Sequence, residues 1–324
     1  MSRKKRHGTK KENLPHSPNV PISSRKRFFF TFALVLTPLV FLLLVEVLLR
    51  LFSYDGNLSL VVREKDNNRE VYKLNRTVAR RYFSQRGVTY PSPHEDEFEV
   101  VKPSRTIRIF CLGESTMQGF PYEQNATPPS FLHDRLQAAL PGYRVEVINV
   151  GLSAVGSYVV KDFINELAGY QPDLYVVYVG HNEFYGAYGP GSSVVIRGPV
   201  LLTRLSLWML RFKTFLLLRD GYSWLVAQFG STGTPRNGTM MSAMVGEGDI
   251  PYHGSMYQIG LSTYAENLRS IIESANDQHV PILMSTFVSN IGEQPPFRSL
   301  YAESTSPAER RRCDSWMAEG DSLA

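Results

Sequence analysis

The sequence predicts an α/β fold of three layers, with helices on both faces of a parallel sheet, preceded by one N-terminal transmembrane helix. Three observations carry this. From residue 105 onward, apolar strand-like runs alternate with helix-periodic stretches, the order from which a parallel sheet is built. Runs such as "LYVVYV" (174–179) are apolar without interruption, as strands buried on both faces are. Residues 28–45, "FFFTFALVLTPLVFLLLV", contain no charge at all.

Eighteen apolar residues form about 27 Å of helix, close to the thickness of a bilayer's hydrocarbon core. The stretch extends through "VLLRLF", where Arg50 can reach outward along its own stem. Nine of the 35 Lys and Arg precede residue 28, against the single acid Glu12, and this basic block places the N-terminus in the cytoplasm. No small-residue cleavage site follows in "LRLFSYDG". The reading is therefore a basic cytoplasmic tail (1–27), a signal anchor (28–51) and everything beyond about residue 52 outside the cytoplasm. A single-pass protein of the inner membrane with a periplasmic domain fits that order. Without the tail, 26 basic and 29 acidic residues remain, so the net charge of +5 is no sign of a nucleic-acid partner.

Residues 52–104 read as an irregular connecting segment that packs along the domain, because Tyr72, Leu74, Tyr82 and Phe83 need burial. The domain proper is expected over 105–324. "TIRIFCL" is its first strand, and "PSFLHDRLQAAL" a helix in which Phe131, Leu132, Leu136 and Leu140 recur at helical spacing. "VEVINV" (145–150) is a strand, 159–170 a helix and 174–179 a strand. Residues 263–278 form a helix and 281–288 a strand. A helical insertion is expected at 186–256, where "LLTRLSLWMLRFKTFLLLRDGYSWLVAQF" is apolar but interrupted by Arg204, Arg211, Lys213 and Arg219. Charges so central argue against a second span. An ordinary packed hairpin and helices resting on a membrane surface both fit. Cys111 and Cys313 form no disulfide framework and no metal-ligand spacing, so neither a metal nor a cofactor is expected.

Chemistry gathers where the strands end. After the first comes Gly113-Glu114-Ser115, after the second Gly151-Leu152-Ser153, and after the third Gly180-His181-Asn182-Glu183. In an open parallel sheet these turns share the carboxyl edge, where such folds hold their ligands. Ser115 could be a helix N-cap or a nucleophile. In the second case the N–H groups of Ser115 and Gly151 and the Asn182 amide would hold the oxyanion of an acyl transfer. A side chain at 151 would block close approach of the backbone there.

The order of these three blocks resembles the SGNH, or GDSL-like, hydrolases, and the Gly-Glu-Ser variant behind an anchor is similar to membrane-anchored bacterial members. The resemblance implies a flavodoxin-like α/β/α domain and a serine ester hydrolase, a GDSL-like lipase or acylhydrolase. Its catalytic residues would be Ser115, Gly151 and Asn182, supported by Gly113, Glu114, Gly180 and Glu183. The partner would be an ester-bearing lipid, glycan or small molecule. O-acyl transfer to envelope glycans and a non-catalytic binding scaffold are the alternatives.

Two departures are mild: glutamate replaces the family's aspartate at 114 and at 183, lengthening the side chain by one methylene. The third is not mild, because no Asp-x-x-His block is found in the chain. Of the seven histidines, His7 and His16 are cytoplasmic, and His133 belongs on the helix after the serine turn. His181 is expected to face away from the site, and His279 to lie at the opposite edge of the sheet. His94 and His253 stay open as bases. The chain closes on "SPAERRRCDSWMAEGDSLA", which reads as a charged helix leaving Trp316 and Met317 without a partner. Four strands are countable where such a sheet usually has five. The expectation is that the missing Asp and His lie beyond Ala324, and that this chain alone is poorly active.

Overall fold

The computed structural model describes residues 23–66, 69–84, 89–192, 200–229, 249–289, 301 and 304–323. Two units divide the chain, Met1–Leu51 and Phe52–Ala324. In the first, α1 (Ser24–Leu51) is a 28-residue helix with no buried residue, Pro38 in its interior and a mean hydropathy of 2.7 over its most apolar window. Near its end Arg50 Nε donates to Glu46 Oε1 at 2.7 Å, so the two charges that follow the apolar run pair one helical turn apart.

The second unit holds two sheets. In the larger, β4 (Thr106–Gly113), β5 (Arg144–Asn149), β6 (Leu174–Tyr178) and β7 (Ile282–Met284) are all parallel, in the order β5-β4-β6-β7. The chain reverses its direction of winding between β4 and β6, and the carboxyl ends of those two strands flank the crevice where such sheets open. Because side chains alternate across a strand, β4 serves two cores. Phe110 and Leu112 join Ile148, Tyr175 and Val177 beneath α4 (Ser157–Leu167) and α7 (Ser255–Asp277). Ile109 and Cys111 join Met117, Val147 and Val176 beneath Leu132 and Leu136 of α3 (Pro128–Ala139). The α4 sequence explains its burial: Val159, Val160, Phe163, Ile164 and Leu167 fall on one face of the helix, and all are buried.

The connecting segment is not irregular. It contains an antiparallel sheet of β1 (Val61–Asp66), β2 (Arg69–Leu74) and β3 (Glu97–Glu99), with Val61 opposite Leu74 and Val71 opposite Glu99. Nor is residue 104 a boundary. Leu60, Leu74, Tyr82, Phe83 and Phe98 are buried in the same core as β4, while Tyr72 packs half-buried against it. The buried Arg108 ties the two sheets together. Its guanidinium donates to Glu146 Oε2 at 2.7 Å, to the Tyr170 carbonyl at 2.8 Å and to the Glu99 carbonyl of β3 at 2.9 Å, and it lies over the Phe98 ring. A buried cation persists only when paired and fully hydrogen-bonded in this way.

Other boundaries moved. The last strand covers Ile282–Met284 rather than 281–288, and the helix before it starts at Ser255, eight residues earlier than its periodicity suggested. The insertion contains α5 (Val200–Met209) and α6 (Lys213–Phe229), seated on the main core through buried Leu210 and Leu216. A final helix, α8 (Pro307–Leu323), leaves Trp316 and Met317 exposed. Most of the basic tail, including His7 and His16, and the glycine-rich stretch 231–248 lie outside the described residues.

Candidate active site

Ser115 does not cap a helix. The N-cap of the one-turn helix α2 (Ser115–Gln118) is Glu114, and Ser115 is its first residue, half-buried at the carboxyl end of β4. A residue there carries one of the N–H groups that a helix cannot satisfy internally. Gly119, at φ +89°, then turns the chain in a left-handed cap that a side chain would strain.

Glu114, fully buried, points the other way. Its Oε2 accepts the main-chain N–H of His181 at 2.8 Å and its Oε1 that of Asn182 at 3.1 Å. The turn after β6 is thus fastened to the residue before Ser115. Gly180 leads into it at φ +148°, where a Cβ would meet the Phe287 ring edge at 2.5 Å. Asn182 is 5% exposed, and its Nδ2 is a buried donor with no acceptor among the described residues. An amide left so is costly unless something else meets it.

Glu183 serves a neighbouring helix. Its two oxygens accept the N–H and the hydroxyl of Ser157, both at 2.7 Å, at the start of α4. Asn267 of α7 donates to the same hydroxyl at 3.0 Å. Burial pushes the Glu183 carboxyl up to about 7; the Ser157 hydroxyl works against this and the nearby Glu114 carboxylate adds to it.

Gly151 is hemmed in by main chain. A Cβ there would fall 2.6 Å from the Gln118 Cα and closer still to its main-chain nitrogen, so the backbone of α2 lies directly against this glycine. Its N–H donates to Asn149 Oδ1 at 3.0 Å. An oxyanion would share that donor with Asn149, unlike the donor of Asn182.

Two residues that hold the site together were not singled out in the sequence. Asn149, buried, also donates from Nδ2 to the Gln118 carbonyl at 3.2 Å. Gln118 crosses between loops: its Oε1 accepts Ser153 N–H at 2.8 Å and Ser153 Oγ at 2.6 Å, while its Nε2 donates to the Ser92 carbonyl at 2.6 Å. An asparagine two residues before a glycine is a turn signal that could have drawn attention to 149. Nothing in the local pattern marks Gln118.

The histidines are accounted for one by one. His181 packs its ring edge-on against Tyr178 and Phe287, with Nε2 3.0 Å from the Val288 carbonyl. Its Nδ1 lies 3.7 Å from Glu114 Oε2, and that carboxylate raises its pKa. His94 Nε2 is 2.8 Å from the Gln118 carbonyl, at the far end of α2 from Ser115. His253 is exposed with its ring tilted against Tyr252, His133 sits beside Asp134 on the α3 surface, and His279 precedes β7. No hydrogen bond joins any of them to Ser115 among the described residues. Cys111 is buried, which pushes its thiol up to about 12, and no group of three His, Cys, Asp or Glu among the described residues could hold a metal ion.

No family model matches the chain, and no curated protein matches it. Solved structures similar to it include the crystal structure of AlinE4, an SGNH-hydrolase family esterase, at 14% identity over 67% of this chain and 96% of that one, with a TM-score of 0.28. An acetyl xylan esterase variant from Geobacillus stearothermophilus is similar at 14% identity over 56% of this chain and 77% of that one, with a TM-score of 0.25. A lipase/acylhydrolase from Enterococcus faecalis is similar at 18% over 54% and 75%, with a TM-score of 0.23. Likenesses at these TM-scores carry no inference about the site, which stands on its own geometry.

Proposed function

We propose that this chain is a serine ester hydrolase of the SGNH type, held by α1 in the cytoplasmic membrane with its catalytic domain on the outer side. Ser115 is the nucleophile. The Ser115 N–H, the Asn182 amide and, shared with Asn149, the Gly151 N–H form the oxyanion hole. The observation that carries this is the orphaned Nδ2 of Asn182, a buried donor beside a turn fastened to Glu114. A preorganised donor with no ground-state partner is what a developing oxyanion needs, because the site then requires no rearrangement as charge appears. The three-block resemblance supports the same roles, and helices against both faces of a parallel sheet suit the three-layer domain that it implies.

The chemistry is addition and elimination at an ester carbonyl. Ser115 Oγ bonds to the carbonyl carbon, its proton leaves to a base, and the alcohol departs to give an acyl-serine that water then hydrolyses. Imidazole in solution can take that proton where no side chain does. A binding scaffold is the second reading, favoured by the lack of any histidine bonded to Ser115 among the described residues. Hydrolysis of short acyl esters, with imidazole added as an exogenous base, separates the two. Turnover that imidazole raises and Ser115→Ala abolishes is the expected result; turnover unchanged in Ser115→Ala would remove the nucleophile.

A further inference from the structure

We infer that the outward face of α5 and α6 is a docking surface for the phospholipid bilayer, a conclusion that rests on reading α1 as a membrane anchor and is independent of the ester chemistry. These helices carry a second apolar stripe that faces away from the core. Leu201, Leu205 and Trp208 of α5, spaced i, i+4, i+7, are exposed, and so are Leu218, Tyr222 and Leu225 of α6 at the same spacing. Leu201 is 75% exposed and Tyr222 70%. On a soluble domain such a stripe faces the core; here it faces outward, while Leu207 and Phe215 pack inward and polar side chains fasten the hairpin to its neighbours. Arg204 Nη2 donates to Glu266 Oε2 at 3.0 Å, and Arg211 Nη2 to Asp162 Oδ1 at 3.3 Å. Arg219 Nη1 donates to the Arg81 carbonyl at 2.6 Å, and Ser223 Oγ lies 2.9 Å from Ser84 Oγ. With Leu210 and Leu216 buried beneath them, the helices are fixed in this orientation.

The place where α6 is fastened says which surface it meets. Tyr54 Oη donates to Asp220 Oδ2 at 3.3 Å, and Lys213 Nζ donates to the Gly56 carbonyl. Tyr54 is three residues beyond Leu51, where α1 ends. The apolar face therefore belongs to a hairpin tied to the first residues that leave the anchor. An exposed apolar face rimmed by polar residues marks an interaction surface. Tryptophan and tyrosine among leucines have the composition of a helix lying at interfacial depth in a bilayer.

The test uses the full chain in vesicles of phosphatidylethanolamine and phosphatidylglycerol, with Trp316→Phe leaving Trp208 and Trp224 as the fluorophores. Lipids brominated in the upper part of the acyl chain are expected to quench at least half of the emission. Adding Leu218→Asp and Leu225→Asp, both at exposed positions, is expected to abolish the quenching without changing the melting temperature. Alkaline carbonate extraction of the same vesicles reports on α1 separately. A chain that resists extraction yet shows unquenched tryptophans overturns the docking surface while sparing the anchor, and crosslinking then shows whether a second copy covers the face. An extracted chain with unquenched tryptophans overturns both. Quenching that survives the double aspartate variant also overturns the assignment of this face.

Discussion

The buried carboxylate of Glu114 accepts the main-chain N–H groups of His181 and Asn182, at 2.8 Å and 3.1 Å. The residue that precedes the proposed nucleophile therefore positions the turn that supplies the proposed oxyanion donor, and one strand end sets the other. Glu114 is a positioning residue in this arrangement. Glu114→Ala leaves two main-chain donors unpaired, the buried one of Asn182 at about 1–3 kcal/mol. Displacing the Asn182 amide by about 1 Å is expected to lower kcat roughly 10²-fold with little change in KM. Glu114→Gln keeps one acceptor and should recover part of both losses. Steady-state kinetics and thermal melting of the two variants check this; a normal kcat in Glu114→Ala would separate the clamp from catalysis.

Asn182 should show the opposite balance. Its Nδ2 has no acceptor among the described residues, so Asn182→Ala removes a buried polar group that folding leaves unsatisfied. Stability is expected to change by less than about 1 kcal/mol, because nothing else loses a partner through that nitrogen. Loss of one oxyanion donor costs roughly 10²–10³ in kcat. A variant that melts like the parent and turns over at under about a hundredth of its rate is the expected outcome. Equal losses of stability and activity would assign the residue to packing.

Gly151→Ala is expected to fail through packing first. The added methyl meets the main chain of Gln118 and Met117, at 2.6 Å from the Gln118 Cα and 2.9 Å from the Met117 carbonyl carbon, and backbone cannot yield as a side-chain tip can. Overpacking of this kind costs about 1–3 kcal/mol or more. Because the contact is with α2, Ser115 moves as well. Melting temperature and kcat should fall together, and a fully stable, inactive variant would show that the methyl blocks substrate instead.

What could be read in the sequence was what topology dictates. Three strand ends of one parallel sheet must share an edge, so Ser115, Gly151 and Asn182 could be grouped before any coordinates, and Gly-Glu-Ser after a buried strand marked the turn. The hydrogen bonds that hold the group together could not be read. Gln118 and Asn149 are single polar residues without periodicity, and their partners, Ser92 and Ser153 for one and the Gln118 carbonyl for the other, come from loops far apart in sequence. The sheet of β1 and β2 was missed for a related reason. Its strands carry charges that look like loop composition until the register sets Arg63 diagonally across from Glu70 and Lys73 diagonally across from Glu64. These exposed pairs add little stability, but they make a polar strand self-consistent.

Glu183 gives a prediction in pH. Burial raises its carboxyl from 4.5 to about 7 in the folded chain, while the unfolded chain keeps the ordinary value. Below about pH 4.5 the group is protonated in both states and its contribution to stability is fully present. Between 4.5 and 7 the unfolded chain ionises first, so stability falls as pH rises and levels off above about 7. The difference is worth about 3 kcal/mol. Glu183→Gln is neutral throughout and retains an oxygen for the Ser157 N–H that starts α4. Chemical denaturation at pH 5 and pH 8 should show the parent losing stability relative to this variant as pH rises; parallel pH dependence in the two would mean that Glu183 ionises in the fold as readily as in water.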